Sequence, residues 1–269
     1  MSATTKGAPW REGFSVTNAQ LELTGVVKQF GTMRAVDDVS FGVAPGELVA
    51  LLGANGAGKS TLFEVIGGQE RATEGRVLLG GTDITRRSAH TIARMGLLRS
   101  FQVAKVFDSY TVRQNIVLSM LGSSRRAFGL RGALRISSAE HAIVDSAIER
   151  AGLAEHANRS CVGISESDRK RLDIARVLVR PAKVVLLDEP TAGLSTEDID
   201  RMITLVQELR RDQPELSIVL TAHDMNVVRQ LADRALLLVS GRSRVAGSVA
   251  DVLRHPETIR TYLGESDGE

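Results

Sequence analysis

Apolar and polar residues follow three patterns along this chain, and each pattern predicts a different kind of structure. From Leu21 to Leu52, three apolar runs rich in β-branched residues are separated by Gly and Asp, which predicts three strands. A glycine-rich turn follows the third run, and a helix is predicted to begin near Lys59. The residues up to about position 18 are polar and predict a loose arm.

In the middle of the chain the apolar residues recur with helical spacing, and few strands are predicted there. The predicted helices cover Ser88 to Met95, Thr111 to Leu121 and Ser138 to Ala151, and a further one is entered through a polar loop in the segment Gly163 to Leu178. Strands return from Lys183 in KVVLLD, SIVLTAH and ALLLVSG, separated by helices at Thr196 to Arg211 and Met225 to Leu231. Continuous apolar strands that alternate with helices predict a mostly parallel sheet covered on both faces.

Composition narrows the class of protein. With 269 residues, of which 43% are apolar, the chain can bury the core of one sizeable domain. The 34 Lys and Arg residues nearly balance the 32 Asp and Glu residues, so charge predicts neither a nucleic-acid binder nor an acidic tail. A single cysteine, Cys161, excludes an internal disulfide framework and a cysteine-based zinc cluster. Because 18 apolar residues never run together, we expect no membrane span, and because the N-terminus has no apolar h-region, we expect no secretion signal.

The segment GANGAGKST, residues 53 to 61, follows the third predicted strand and precedes the predicted helix. It satisfies the spacing G-x-x-x-x-G-K-[ST], in which glycines let backbone N–H groups turn inward around phosphates. Lys59 then reaches the β- and γ-phosphates, and Ser60 offers its hydroxyl to Mg²⁺. The alternative is a glycine-rich turn with an incidental lysine, but here the strand, loop and helix of a phosphate loop are all predicted. The predicted nucleotide-binding residues of this loop are Gly53, Asn55, Gly56, Ala57, Gly58, Lys59, Ser60 and Thr61.

Two acids end the apolar segment VVLLDEP, residues 184 to 190. Asp188 is predicted to bind Mg²⁺ through water, and Glu189 to polarise the attacking water. Many strands end in an acid, but ligands of open α/β sheets bind outside the carboxyl ends of strands, which places this pair beside the phosphate loop. His223 ends the next predicted strand; it is either a surface residue or, beside the two acids, a contact for the γ-phosphate that orients the water.

Five segments together resemble the nucleotide-binding subunits of ABC transporters, over about residues 21 to 263. They are GANGAGKST, SFQ at residues 100 to 102, a loop containing Ser165 before RLDIARVL, VVLLDEPTAGL, and TAH. The chain is most similar to the ATPase subunits of branched-chain amino acid importers, on VVKQFGTMRAVDDVSFGVAPGELVALLGANGAGKSTLFEVIGG, RSFQVAKVFDSYTVRQNI and HPETIRTYLGE. The ATPases of urea and short-chain amide importers and of lipopolysaccharide export are close relatives of the same type.

The resemblance implies a fold and a division of the chain. The expected fold is that of a P-loop NTPase, an α/β domain with a mostly parallel sheet core, an antiparallel N-terminal β region and an inserted helical subdomain. The single ATPase domain is expected at residues 19–263, with the helical subdomain at about 103–180. Residues 1–18 would form a flexible arm, and residues 264–269 a tail.

The resemblance also implies roles for residues outside the two motifs. Phe30 matches the position whose ring stacks on adenine, although a core aromatic is the alternative. Gln102 matches the glutamine that contacts Mg²⁺ and the attacking water. Val106 and Phe107 would lie near the groove that accepts a helix of the membrane subunit, or else belong to the subdomain core. The arginines between Arg125 and Arg135 either face lipid headgroups or lie in a solvated loop.

One segment departs from the family. ATP is held between two subunits arranged head to tail, with the phosphate loop of one facing an LSGGQ-type signature of the other. The aligned residues here are Ile164, Ser165, Glu166, Ser167 and Asp168. Glu166 and Asp168 would add negative charge facing a triphosphate, while a second account has Ser165 as a helix N-cap paired with Asp168; both can hold. Ser195, where many transporters have Asp, is a milder departure.

The resemblance implies ATP and Mg²⁺ as cofactors, the latter held by Ser60, Gln102 and Asp188. It implies a second ABC ATPase as partner, permease subunits that contact the region from Gln102 to Phe107, an extracytoplasmic binding protein acting indirectly, and no nucleic acid. The expected location is the cytoplasmic face of the inner membrane. Because the signature is altered while Lys59, Gln102, Asp188, Glu189 and His223 are kept, we expect an asymmetric heterodimer in which Ser165 to Asp168 face the partner's ATP.

Three functions follow from these observations. The first is an ATPase that drives transport, in the import direction of the most similar subunits or in an export-type system. The second is a regulatory subunit that binds ATP with little turnover, which the altered signature favours and the retained Glu189 and His223 oppose. The third, an ABC protein acting on ribosomes or DNA, is disfavoured because the chain has neither tandem ATPase domains nor long coiled-coil arms.

Overall fold

A computed structural model describes residues 18–100, 106–122 and 136–263 of the chain. Gln102, the arginine-rich segment 125–135, the predicted arm up to residue 17 and the predicted tail from residue 264 lie outside the described residues. Within the described ranges, two sheets and nine α-helices form the fold. No helix in these ranges is long and apolar enough to cross a lipid bilayer.

The first sheet is antiparallel and has the order β2-β1-β4-β5 within the described chain. Its strands are β1 Leu21–Phe30, β2 Met33–Val43, β4 Glu74–Leu79 and β5 Thr82–Asp83. Strands β1 and β2 form a hairpin whose last pair is Phe30 and Met33. This hairpin brings the start of β2 close to the phosphate loop.

The second sheet has the order β10-β9-β3-β8-β7-β6 in the part of the chain that the structure describes. Its strands are β3 Leu48–Leu52, β6 Leu97–Arg99, β7 Val184–Asp188, β8 Ser217–Thr221, β9 Arg234–Val239 and β10 Arg242–Ser248. All neighbouring pairs are parallel except β9 with β10. The carboxyl ends of β3, β7 and β8 therefore meet at one edge, where ligands of such sheets bind.

The helices cover both faces of this parallel sheet. They are α1 Lys59–Ile66, α2 Ala89–Arg94, α3 Val112–Leu121, α4 Ser138–Arg150, α5 Glu166–Leu178, α6 Thr196–Asp212, α7 Met225–Leu231, α8 Val249–Arg254 and α9 Pro256–Leu263. Helices α3, α4 and α5 pack on one another and form a helical unit between β6 and β7. Helices α6 and α7 also pack together.

Strand β3 shows why the sheet is covered on both faces. All five of its residues are buried. Leu48, Ala50 and Leu52 belong to the apolar cluster that includes residues of α3 to α7. Val49 and Leu51 belong to a second cluster with the antiparallel sheet and α1. Successive side chains of a strand point to opposite faces, so a continuous apolar run can serve two cores at once.

The predicted fold class is confirmed, and the strands and helices named from the sequence are found close to their predicted positions. The expectation of few strands in the middle of the chain misses β6, which extends the parallel sheet beside β7. Its apolar run is only two residues long, Leu97 and Leu98, too short for an alternation to be visible. The apolar pattern likewise does not predict β10, α8 or α9.

Candidate nucleotide site

The phosphate loop turns the chain from β3 into α1 with glycine at its tightest point. Gly58 has a φ of 101°, a backbone conformation that L side chains rarely adopt. A Cβ atom at Gly58 would lie 2.3 Å from the carbonyl oxygen of Ala35. Among the described residues, no side chain caps the N-terminus of α1, and its first turn contains no acid. The N–H groups at this helix end therefore suit a phosphate.

The side chain of Lys59 lies inside the loop, and Lys59 is only 6% exposed. Its Nζ atom donates to the carbonyl oxygens of Gly53 at 2.6 Å and Ala54 at 3.0 Å. Burial lowers the pKa of Lys59 below its ordinary value, while the nearby Glu189 and Asp188 act in the opposite direction. The loop carbonyls thus hold the ammonium group where a polyphosphate can replace them as its partner.

Asp188, at the carboxyl end of β7, is 4% exposed and fully engaged. Its Oδ1 atom accepts a hydrogen bond from Thr221 Oγ1 at 2.8 Å, and its Oδ2 atom lies 3.0 Å from Arg99 Nη2. Arg99 in turn donates to Gln69 Oε1 at 3.1 Å. The Asp188 carboxylate is therefore held in one orientation by an arginine and a hydroxyl at the carboxyl end of β7.

Glu189 is held in a left-handed turn directly after β7. Its φ is 48°, a value that costs a non-glycine residue conformational energy. Its N–H group donates to Thr221 at both Oγ1, at 2.9 Å, and the carbonyl oxygen, at 3.2 Å. His223 Nε2 lies 2.7 Å from Glu189 Oε1. Because a carboxylate only accepts, this contact places the proton on the ring nitrogen.

One open groove contains both the loop and Glu189. Its lining includes Met33, Arg34, Ala35, Asn55, Gly56, Ala57, Gly58, Lys59, Ser60, Thr61, Glu189, Ser240 and Gly241. Ser60 is exposed, so its hydroxyl is accessible from the groove. The structure therefore brings together the loop residues and the acid that the sequence predicts for one site.

Phe30 stands beside this groove but is absent from its lining. Its side chain is 42% exposed, and Lys28 Nζ lies 4.5 Å from the centre of its ring. The alternative of a core aromatic is therefore wrong, because a core ring would be buried. Met33, its hairpin neighbour, is 62% exposed and does line the groove. Both apolar side chains are free to contact a planar base.

The signature residues lie at the N-terminus of α5, and no described residue of that helix lines the groove. Ser165 is the N-cap: its Oγ atom accepts the N–H group of Asp168 at 3.0 Å and donates to Asp168 Oδ2 at 2.8 Å. The capping that the sequence predicts is present, although the carboxylate binds the capping hydroxyl rather than the backbone N–H group of a capping box.

The expectation that both acids add exposed charge here is wrong for Asp168. Its side chain is buried, and its Oδ1 atom lies 2.5 Å from Arg171 Nη2. His156 Nε2 lies 3.6 Å from Oδ2 of the same carboxylate. Arg171 also donates to the carbonyl oxygens of Ala151 and Gly152, which join α4 to α5. Arg171 balances the charge of Asp168 inside the helical unit. Of the two acids, only Glu166 presents its carboxylate to solvent.

A buried lysine connects helix α5 to the loop that follows strand β7. Lys170, in α5, is 6% exposed and donates to the carbonyl oxygen of Ala192, with Glu189 O at 3.5 Å. Burial lowers the pKa of Lys170 below its ordinary value. The signature helix is therefore linked, within one subunit, to the loop that follows Glu189.

The region expected to contact a membrane subunit is described from Val106 onward. Phe107 is 52% exposed, and its ring meets that of Tyr110 edge-on at 5.8 Å. Val162, 72% exposed, follows Cys161, whose N–H group donates to Tyr110 O at 3.0 Å. Val106 packs against the main core, whereas Phe107 remains on the surface.

The sequence did not predict Arg99, Thr221 and Tyr262, which are hydrogen bonded to predicted site residues, or the groove residues Met33, Arg34, Ala35, Ser240 and Gly241. Thr221 occurs in SIVLTAH, and its β-strand neighbours gave no reason to single out its hydroxyl. Arg99 is the last residue of the short strand β6, which the periodicity missed. Tyr262 lies 209 positions after Gly53, to which its hydroxyl is hydrogen bonded. Each is brought to the site only by pairing or packing between distant segments.

The phosphate loop on β3, the acids after β7 and the histidine after β8 define a P-loop nucleotide-binding ATPase. A family model described as ABC transporter matches residues 36–192. The ATP-binding protein LivG of high-affinity branched-chain amino acid transport in Escherichia coli K12 is 34% identical over 91% of this chain and 98% of its own length. BraF of Pseudomonas aeruginosa PAO1, described in the same words, is 31% identical over the same shares.

Solved structures agree with this. The crystal structure of the ADP conformation of MJ1267, an ATP-binding cassette of an ABC transporter, matches with a TM-score of 0.80 and 26% identity, over 93% of this chain and 100% of that one. The chain belongs to the ABC transporter family. It is an ATP-binding cassette, the subunit that binds and hydrolyses ATP for transport.

Proposed function

We propose that this cassette drives the import of branched-chain amino acids or a related small polar solute. The support is its similarity, over nine tenths of the chain, to cassettes whose names state branched-chain amino acid transport. The solute itself is recognised outside the cassette, so its identity follows from relatives rather than from this site. An export-type cassette and a regulatory subunit with little turnover are the alternatives.

We assign the chemistry to the groove that contains Lys59 and Glu189. Lys59 and the N–H groups of residues 53–61 bind the phosphates, and Phe30 stacks on the base. Ser60 and Asp188, with Gln102 from outside the described residues, would hold Mg²⁺, which supplies charge neutralisation between the phosphates. The residues present suit that ion, because carboxylate and hydroxyl oxygens are the ligands that Mg²⁺ prefers, and Asp188 and Ser60 lie at the same end of the sheet.

Glu189 acts as the base that orients and polarises the attacking water. The observation that carries this role is the 2.7 Å contact between His223 Nε2 and Glu189 Oε1. By donating to one carboxylate oxygen, His223 fixes the rotation of the carboxylate that lines the groove. Thr221 holds the backbone of the same residue, so the end of β8 and the residues just after it position Glu189 at both its backbone and its carboxylate.

Glu189→Gln tests this assignment. The amide keeps the shape but cannot accept a proton, so ATPase activity is expected to fall by about a hundredfold or more while ATP still binds. The measurements are single-turnover hydrolysis and nucleotide retained after gel filtration. Retained ATP in a dimer is expected; unchanged hydrolysis by Glu189→Gln contradicts the role.

The partner is proposed to be a different ABC ATPase. In a head-to-tail dimer the N-terminus of α5 faces the partner's ATP, and here that helix end is already capped by Ser165 and carries the exposed Glu166. A partner with an intact signature would complete the site on this chain's phosphate loop. Purified homodimer is therefore expected to hydrolyse ATP slowly, and rapid hydrolysis by the homodimer contradicts the proposal.

The membrane attachment is proposed to run through the region from Gln102 to Phe107, on the cytoplasmic face of the inner membrane. The exposed ring of Phe107 supports this, since a packed helix can cover it. Phe107→Ser is expected to reduce copurification with permease subunits, and Ile143→Ser, at another exposed apolar residue, serves as the control. Uptake of leucine and of urea by cells with and without the chain distinguishes the solutes.

A further inference from the structure

The C-terminal helix α9 reaches the phosphate loop through one side chain. Tyr262 accepts the N–H group of Gly53 at its hydroxyl oxygen, over 2.8 Å, and the same hydroxyl lies 3.4 Å from the carbonyl oxygen of Gly53. The ring packs against the main apolar core. A single hydroxyl thus serves as acceptor and donor for both backbone groups of the first residue of the loop.

Gly53 is a confined position. It is buried, has a φ of 151°, and a Cβ atom there would lie 2.5 Å from the carbonyl oxygen of Leu238. A buried N–H group without a partner is costly, so the contact with Tyr262 stabilises this particular loop conformation. The conformation matters because the loop that begins at Gly53 presents its N–H groups to phosphate.

The carbonyl oxygen of Gly53 has a second partner, Lys59 Nζ, at 2.6 Å. When the ammonium group of Lys59 turns to a polyphosphate, this buried carbonyl loses its closer donor. The hydroxyl of Tyr262 is the donor that remains. Burial raises the pKa of Tyr262, so the hydroxyl keeps its proton at neutral pH.

Helix α9 is also attached to strand β10. Arg244 of β10 lies 3.5 Å from Glu257 of α9. The side chain of Thr258 in α9 is buried. Helix α9 is therefore held to β10 at its first turn and contacts the phosphate loop at its last turn. A change at Tyr262 is transmitted to this helix.

We propose that Tyr262 is a positioning residue of the nucleotide site, which couples the docking of helix α9 to the occupancy of the phosphate loop. Its hydroxyl holds Gly53 in the nucleotide-free loop and takes over the Gly53 carbonyl when Lys59 binds phosphate. Because the hydroxyl contributes more when nucleotide is bound, ATP binding and docking of α9 reinforce each other. The inference rests on ATP binding at this loop and is independent of the transported solute and the partner.

The test compares Tyr262→Phe with Tyr110→Phe in the full-length chain. The chain has two tyrosines, so these variants form a matched pair that each removes one hydroxyl and keeps the ring. Tyr262→Phe is expected to weaken ATP binding about threefold to tenfold, the worth of one neutral hydrogen bond. Tyr110→Phe is expected to leave ATP binding unchanged. Equal affinity of Tyr262→Phe and wild type overturns the proposal.

Two further measurements follow Tyr262 and helix α9 directly. Chain labelled with 3-fluorotyrosine gives two ¹⁹F resonances, and Tyr110→Phe assigns the remaining one to Tyr262. Addition of ATP is expected to shift that resonance, and hydrogen exchange of α9 is expected to slow in wild type but not in Tyr262→Phe. A nucleotide-independent resonance, or equal slowing in both proteins, overturns the coupling.

Lys59→Met separates this inference from the site assignment. Loss of ATP binding in Lys59→Met together with unchanged binding in Tyr262→Phe overturns the role of Tyr262 alone. Retained ATP binding in Lys59→Met overturns the site assignment and the coupling together.

Discussion

Two helix N-termini of this chain, those of α1 and α5, are built in opposite ways. Helix α1 begins at Gly58 with no capping side chain from the described residues and no acid in its first turn. Helix α5 begins at Ser165, which caps the N–H group of Asp168, and has two acids in its first turn. The positive end of a helix attracts anions in both cases, but only α1 leaves its donors to an external phosphate.

The difference shows that a helix N-terminus is not by itself a phosphate site. Other helices of the structure are capped by their own Ser, Thr or Asp residues, as α2, α3, α4, α6, α7 and α8 are. In capping, α5 resembles these structural helices more than it resembles α1. The phosphate loop is distinguished by what is missing from it: a capping side chain from the described residues and a Cβ atom at Gly58.

The largest expected effect comes from giving α5 the family signature. The triple change Glu166→Gly, Ser167→Gly and Asp168→Gln removes the charge and frees the helix end. It is expected to raise homodimer ATPase activity by about a hundredfold, because the freed N–H donors at this helix end would stabilise the transition state of hydrolysis. The control is Ser195→Asp, which brings the other departure to the family residue and is expected to change the rate less than about twofold.

Steady-state ATP hydrolysis by the purified homodimer measures the effect of the triple change and that of the control, Ser195→Asp. An unchanged rate in a folded triple variant would mean that the acids at α5 do not limit hydrolysis, and the asymmetric dimer would lose its main support.

A smaller effect is expected from Asp168→Asn, which tests whether this acid is structural. Without the charge, Arg171 keeps a buried guanidinium with a neutral partner, and unfolding should need about 2 kcal/mol less. Asp198 is the matched control, because Ser195 caps α6 as Ser165 caps α5, yet Asp198 is more exposed. For Asp198→Asn about 0.5 kcal/mol or less is expected, measured by urea unfolding. Equal losses at the two positions would contradict a special pairing at Asp168.

The smallest expected effect is a pH dependence at α1. Burial lowers the pKa of Lys59, and phosphate needs its protonated form, so ATP affinity is expected to fall as pH rises through that pKa. Stability of the nucleotide-free chain should change in the opposite sense. In the window between the lowered folded pKa and the ordinary pKa, the unfolded chain binds more protons, so stability rises with pH.

ATP titrations and urea unfolding between pH 7 and pH 10 measure the two trends. We expect a change of about threefold in affinity over this range. Lys59→Arg, whose charge persists to higher pH, should show a flat profile in both. A flat profile in wild type would mean that Lys59 does not titrate in this window.

Much of the fold could be predicted because its signals are local. The signal for β3 and α1 is an apolar run, a glycine-rich turn and a helical pattern that follow one another directly. The apolar runs that end near Asp188 and His223 are themselves strands β7 and β8. Strand β6 could not be predicted in this way. Its assignment depends on pairing with β7, a segment far away in sequence. Phe30 shows the same limit within the site, since its exposure depends on the hairpin turning it away from the core.

The sequence by itself determined the phosphate loop, the acids after β7, the histidine after β8 and the altered signature, because each is a short motif whose chemistry depends on adjacent residues. The tertiary structure alone decided which partners complete them. Arg99 meets Asp188 across 89 positions, and Tyr262 meets Gly53 across 209. It also decided that Asp168 points inward to Arg171. Such contacts depend on how strands pair and helices pack, and local composition does not specify those distances.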